Sequence, residues 1–105
     1  MDYRTFYITT KNEAEALEIA EALVKERLVA CANMIPGMKS IYHWHGRLEV
    51  NQETVLLLKT RAELSEKVIA RVGELHSYTI PCIVSWEIRE GNKKYLQWID
   101  SETGK

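Results

Sequence analysis

Tyr3, Thr5 and Tyr7 alternate with Arg4, Phe6 and Ile8 at the start of the chain. This period of two, rich in aromatic and β-branched side chains, predicts a first strand over 3–9. Thr10 with Glu13 three residues on reads as a capping box and places a helix start there. The helix should bury a stripe of Leu17, Ala20, Val24 and Leu28, widened by Ala16, Ile19 and Leu23, with Glu15, Glu18, Glu21, Lys25 and Glu26 mainly outside it. A second strand is expected from about Ala30 to Gly46, interrupted by a bulge or bend at Pro36 and Gly37. Residues 44–47 read as a hairpin turn into a third strand, whose apolar run from Val55 to Leu58 suits a central position. Thr60 and Glu63 repeat the capping signal before a second stripe of Leu64, Val68, Val72 and Leu75. Cys82, Val84, Trp86 and Ile88 then alternate as a fourth strand, Gly91 and Asn92 break it, and Tyr95, Leu96 and Ile99 mark a short final helix.

The order βαββαβ plus a terminal helix predicts an α+β fold of the ferredoxin-like sandwich class, with two helices on one sheet face. Its 105 residues are enough for one core and short of two, so a single domain over 1–105 is expected. With 46% hydrophobic and 28% charged residues the chain is expected to fold. A net charge of −1 gives no electrostatic footprint for nucleic acid. No apolar run approaches the roughly 20 residues that span a bilayer. The start of the chain lacks the pattern of a secretory signal, which makes a cytoplasmic protein the expectation. Cys31 and Cys82 are far apart and form no CxxC, and both are read as reduced.

Fold alone assigns no function, and the sites must decide. The aliphatic third strand lacks the stacking aromatics of an RNA-recognition domain. The loop after strand one lacks both the CxxC of a metal chaperone and the arginine and glycines of an acylphosphatase-like cradle. His43 and His45 form an HxH pair which, on a strand, would point to one side about 6–7 Å apart. They are either two ligands of one transition metal or histidines on a solvent face. His76, after the second helix, either caps carbonyls or binds a ligand. Cys31 and Cys82 read most simply as small buried hydrophobes, with no adjacent base to make a nucleophile of either. Trp44, Trp86 and Trp98, with five tyrosines, exceed what a chain of this size hides alone, so some should face another subunit. No nucleophile, base and oxyanion donor can be assembled, and an enzyme is not expected.

"CANMIPGMKSIYHWHGRLE", "LLLKT", "LHSYTIP" and "YLQWI", in that order and spacing, resemble the CutA family of divalent-cation tolerance proteins over nearly the whole chain. The resemblance implies a tight cytoplasmic homotrimer whose long second and third strands reach neighbouring subunits. It further implies a role in tolerance of copper and other divalent cations, with no reaction attached. Its trimeric design also looks like that of the PII signalling proteins, which makes a small effector or a partner in an intersubunit cleft the alternative. Carried over, the family's motifs fall on Cys31 and Asn33, on Tyr42, Trp44 and Gly46, on Lys59 and Thr60, and on His76, Tyr78 and Pro81. Some members have a cysteine where this chain has Ile8 and a second histidine where it has Leu75, and Ser77 replaces a more usual proline. The expected metal ligands are His76, from the matched motif, with His43 and His45, which fall where the family pattern is variable and so would make a site particular to this chain, for a copper or zinc ion that is not obligatory. Cys31, Lys59, Tyr78 and Trp86 are the expected lining of an effector cleft.

Overall fold

β1 (Tyr3–Thr10) is an inner strand of a four-stranded sheet and buries residues on both faces. In the computed structural model, which describes residues 2–104, it is followed by α1 (Glu13–Lys25), β2 (Cys31–Trp44) and β3 (Arg47–Arg61). A single 3-10 turn at Ala62–Leu64, α2 (Ser65–Leu75), β4 (Ile83–Ile88) and α3 (Lys93–Glu102) complete the order. The sheet order is β2-β3-β1-β4, and every neighbouring pair is antiparallel. The fold is thus the α+β arrangement that the periodicities predict.

Phe6 and Ile8 of β1 and Leu56 and Leu58 of β3 pack beneath Ala16, Ile19, Ala20 and Leu23 of α1 and Val68 and Val72 of α2. Burying each large side chain of this group contributes about 1.5–3 kcal/mol. The opposite face, carrying Thr5, Tyr7, Leu57, Val84 and Trp86, is covered only at one end. There α3 packs Ile99 on Tyr3, Ala30 and Ile88. Tyr3 donates to Asp100 Oδ2 at 2.8 Å, and Arg61 donates to the Thr103 hydroxyl and carbonyl at 2.8 Å each, which anchors the end of the helix.

β2 and β3 outrun the sheet. Pairing of β1 with β3 stops at Thr10 and Thr54, whereas β2 and β3 stay paired as far as Trp44 and Arg47. The free ribbon is about 20 Å long at ordinary strand rise, and it draws the molecule out to 45 × 25 × 22 Å. The expected interruption appears as a register shift between Ile35 and Met38, where Gly37 takes a φ of +78°. At the tip His45 (φ 50°) and Gly46 (φ 77°) form a two-residue turn of the kind whose twist matches the flanking strands.

Several expectations are corrected. The cap of α1 is Asn12, not Thr10: its Oδ1 accepts from Glu15 N–H at 2.9 Å, while the Thr10 hydroxyl donates across the sheet to the Thr54 carbonyl. Thr60 caps nothing either, because β3 continues through it and its hydroxyl donates to the Leu28 carbonyl at 2.6 Å. In α1 the buried stripe is turned by one position, so Glu15 is buried and Leu17 and Val24 are exposed. β4 begins at Ile83, which leaves Cys82 exposed in the connector, and Cys31 is only half-buried.

Candidate functional site

Three groups of polar side chains surround the sheet, and each is built by a different junction of elements. The first ties together the ends of β1, α1 and α2. Burial alone would raise the Glu15 carboxyl, but N–H donors from Lys11 (3.0 Å, to Oε1) and Ser77 (2.8 Å, to Oε2) outweigh it and hold the group below the usual carboxylate range. Beside it His76, immediately after α2, is buried. Its Nε2 lies 2.8 Å from the Thr9 carbonyl, and its Nδ1 accepts from Tyr78 N–H at 3.1 Å. A carbonyl can only accept and an amide N–H can only donate, so the proton belongs on Nε2. Both ring nitrogens are then committed to backbone. Glu15 Oε2 is 4.0 Å from Nδ1.

The second group lines a cleft of about 500 Å³ between the α2–β4 connector and the base of the ribbon. Thr9, Tyr42, Trp44, Glu53, Tyr78 and Ile80 form most of its wall. Tyr78 donates its hydroxyl to Glu53 Oε2 at 2.7 Å, and burial followed by the Glu53 charge pushes the phenol well above its ordinary range. The same two causes, in the same order, raise the Cys82 thiol.

The third group sits at the other end of the open face. Register places Cys31, Lys59, Thr5 and Trp86 side by side on the four strands. Lys59 Nζ donates to Asn33 Oδ1 at 2.7 Å and approaches Cys31 Sγ at 3.9 Å. Tyr95 of α3 puts its hydroxyl 3.5 Å from that sulfur, and burial together with Cys31 pushes the phenol up to about 12. Trp86 is half exposed and lies against Tyr7, ring centroids 6.0 Å apart.

The expected effector lining therefore divides within one chain. Cys31, Lys59 and Trp86 share one row, and Tyr78 stands beyond the far end of β1. The expected metal ligands are also dispersed. His43 and His45 are not an in-strand HxH pair, because β2 ends at Trp44 and His45 turns into the loop with its ring edge-on to Trp44. His43 lies on the ribbon side opposite Tyr42 and Trp44, across from Leu48. Among the described residues no three His, Cys, Asp or Glu side chains stand close enough together to hold a metal ion. Ile8 and Leu75, at the positions where other patterns carry a cysteine and a histidine, both belong to the core under the helices. Sequence reasoning missed Glu53 and Glu15. Alternation from Val55 and Leu57 could have placed Glu53 on the open face; the buried placement of Glu15 depends on the true cap being Asn12.

Comparison with known proteins agrees over almost the full length. Residues 4–102 match the family described as CutA1 divalent ion tolerance protein. The chain is 48% identical to the divalent-cation tolerance protein CutA of Thermus thermophilus, over 92% of its own length and 94% of that protein's. It is 35% identical to the chloroplastic protein CutA of Arabidopsis thaliana, again over 92% of its length but spanning 53% of that longer protein. Its fold superposes on the crystal structure of CutA from Xylella fastidiosa with a TM-score of 0.95 at 36% identity, covering 98% of this chain and 99% of that one.

Proposed function

Because the chain belongs to the CutA1 family of divalent ion tolerance proteins, we propose that it serves divalent-cation tolerance as a homotrimer that holds copper or zinc weakly between its subunits. The observation that carries this reading is the apolar surface of the ribbon. Ile41, Leu48 and Val50 are 67%, 62% and 61% exposed on one side of the ribbon, and Ile35, Val84 and Trp86 add exposed apolar surface over the open sheet face. A lone two-stranded ribbon is marginal in water, and an apolar patch of this extent marks an interface. Further copies of the chain would bury it.

Assembly also bears on the metal. A closed zinc site uses four ligands, and among the described residues one chain gathers no three. A captured cation is therefore shared, His43 and His45 being carried outward by the ribbon and His76 supplying a ligand from the body. His76, whose ring is buried, must turn outward and give up the Tyr78 N–H to do so, at a cost of about 1–3 kcal/mol for the donor left unpaired, which suits weak binding. Calorimetric titration of Cu²⁺ and Zn²⁺ into wild type, His76→Gln, His43→Ala and His45→Asn is expected to lose a binding event with His76→Gln. Equal affinities in all four proteins would end the metal reading.

A second reading, a signalling or scaffolding trimer that takes a small anionic effector in an intersubunit cleft, is favoured by Lys59. Its ammonium meets a side-chain amide and a thiol rather than a carboxylate, with Trp86 in the same row. In the same samples, a melting temperature raised by phosphate or a small carboxylate and unmoved by metals would favour this reading over the first.

A further inference from the structure

The cleft at the base of the ribbon carries a charge that, among the described residues, no cationic side chain pairs with. Glu53 is only 6% exposed, yet among the described residues it accepts one side-chain hydrogen bond, from the Tyr78 hydroxyl to Oε2. A carboxylate has about four acceptor positions, and the Tyr78 hydroxyl fills one of them. No lysine, arginine or histidine lines the cleft, where Glu53 is the one charged side chain among the described residues. The walls beside it combine the rings of Tyr42 and Trp44 with Ile80 and the hydroxyls of Thr9, Ser77 and Thr79. Register puts Tyr42 and Trp44 on the same sheet side as Glu53, and Ile80 closes the connector side. Asn51 Nδ2 donates to the Tyr42 hydroxyl at 2.8 Å and holds that ring in place.

We propose that this cleft binds a small organic cation, a protonated amine with an apolar or aromatic body. The ammonium pairs with Glu53 Oε1, which Tyr78 leaves open by engaging Oε2, and the body lies against Tyr42 and Trp44. Aromatic faces attract cations as well as apolar surface, so one wall serves both ends of such a ligand. The cleft volume of about 500 Å³ falls within the range of small-molecule sites. An anion is disfavoured by the uncompensated carboxylate. A divalent metal would find a single carboxylate, hydroxyls and the Cys82 thiol, which is a poor set for either a hard or a soft cation. This inference goes beyond the tolerance reading, since it uses none of His43, His45, His76 or Lys59.

The test uses the assembled protein in solution, with phenethylamine as the probe and 2-phenylethanol and 3-phenylpropionate as its neutral and anionic counterparts. Binding is read by calorimetry and by saturation-transfer NMR. The amine is expected to bind at least about tenfold more tightly than either counterpart, and Glu53→Gln to remove about that factor. Lys59→Ala is expected to leave amine binding unchanged. Equal affinity for amine and alcohol, no amine binding to wild type, or full amine affinity in a folded Glu53→Gln protein would each overturn the proposal. Should Glu53→Gln lose its native circular dichroism, Trp44→Ala decides instead, because Trp44 is exposed and outside the core: weakened amine binding supports the site and unchanged binding overturns it.

Discussion

Glu15 is the residue on which the local architecture turns. One carboxylate on the first turn of α1 receives the Lys11 N–H preceding the helix and the Ser77 N–H following α2, and so ties two elements to the end of β1. Its folded-state pKa lies below the unfolded value, which is near 4.5. The stability it contributes is therefore fully present above that value and is lost as pH falls through the lower, folded one. Urea melts between pH 3 and pH 7 are expected to show Glu15→Gln costing about 1–3 kcal/mol at pH 7, with the gap to wild type closing on acidification. A gap that stays constant with pH would contradict the role of the charge. Ser77 takes part only because it is not a proline, since a proline there would have no N–H to give. At this scale the sequence was partly legible. The motif singled out His76 and Tyr78, and the structure sets them beside Glu15 and Glu53 respectively. Glu15 was not legible, because the stripe drawn through Leu17 and Val24 assigned it to solvent, and only the hydrogen bonds that bury it move the stripe by one position.

Among the elements, the ribbon and α2 show how the same residue type acts with opposite sign. Gly37 sits in the register shift of β2 with a φ of +78°, a conformation that an L side chain reaches only with strain. Gly73 lies inside α2 on an exposed surface, and a Cβ added there meets nothing within 4 Å. Gly37→Ala is expected to destabilise by more than about 1 kcal/mol, whereas Gly73→Ala stabilises by up to about 1 kcal/mol. Thermal melts of the two variants against wild type check both signs, and two shifts in the same direction would contradict the account. The elements themselves were readable because period, turn chemistry and apolar runs agreed. Pro36 with Gly37 announced the bulge, and His45 with Gly46 announced the hairpin. What misled was side-chain chemistry at element ends: Thr10 and Thr60 look like helix caps in sequence, but each spends its hydroxyl on a carbonyl of another segment. Strand alternation likewise carried His45 one residue too far, into a turn.

For the whole molecule the question is what covers the second face. α1 and α2 close one side of the sheet, α3 closes one end of the other, and the rest of that face together with the ribbon presents isoleucine, leucine, valine and tryptophan to water. The charges are arranged along the same face, with the Lys59 ammonium near α3 and the Glu53 carboxylate at the base of the ribbon. Docked copies would bring ribbon residues such as His43 to a neighbour's surface, which no rearrangement within one chain achieves. The proposed metal capture depends on that union, so the assembly is the claim on which the rest stands. Its most direct measurement is static light scattering on the eluting chromatographic peak at micromolar concentration. The account predicts a single species of three times the 12.2 kDa chain mass, which falls apart when Ile41, Leu48 and Val50 are together replaced by serine; a wild-type mass of one or two chains would contradict it.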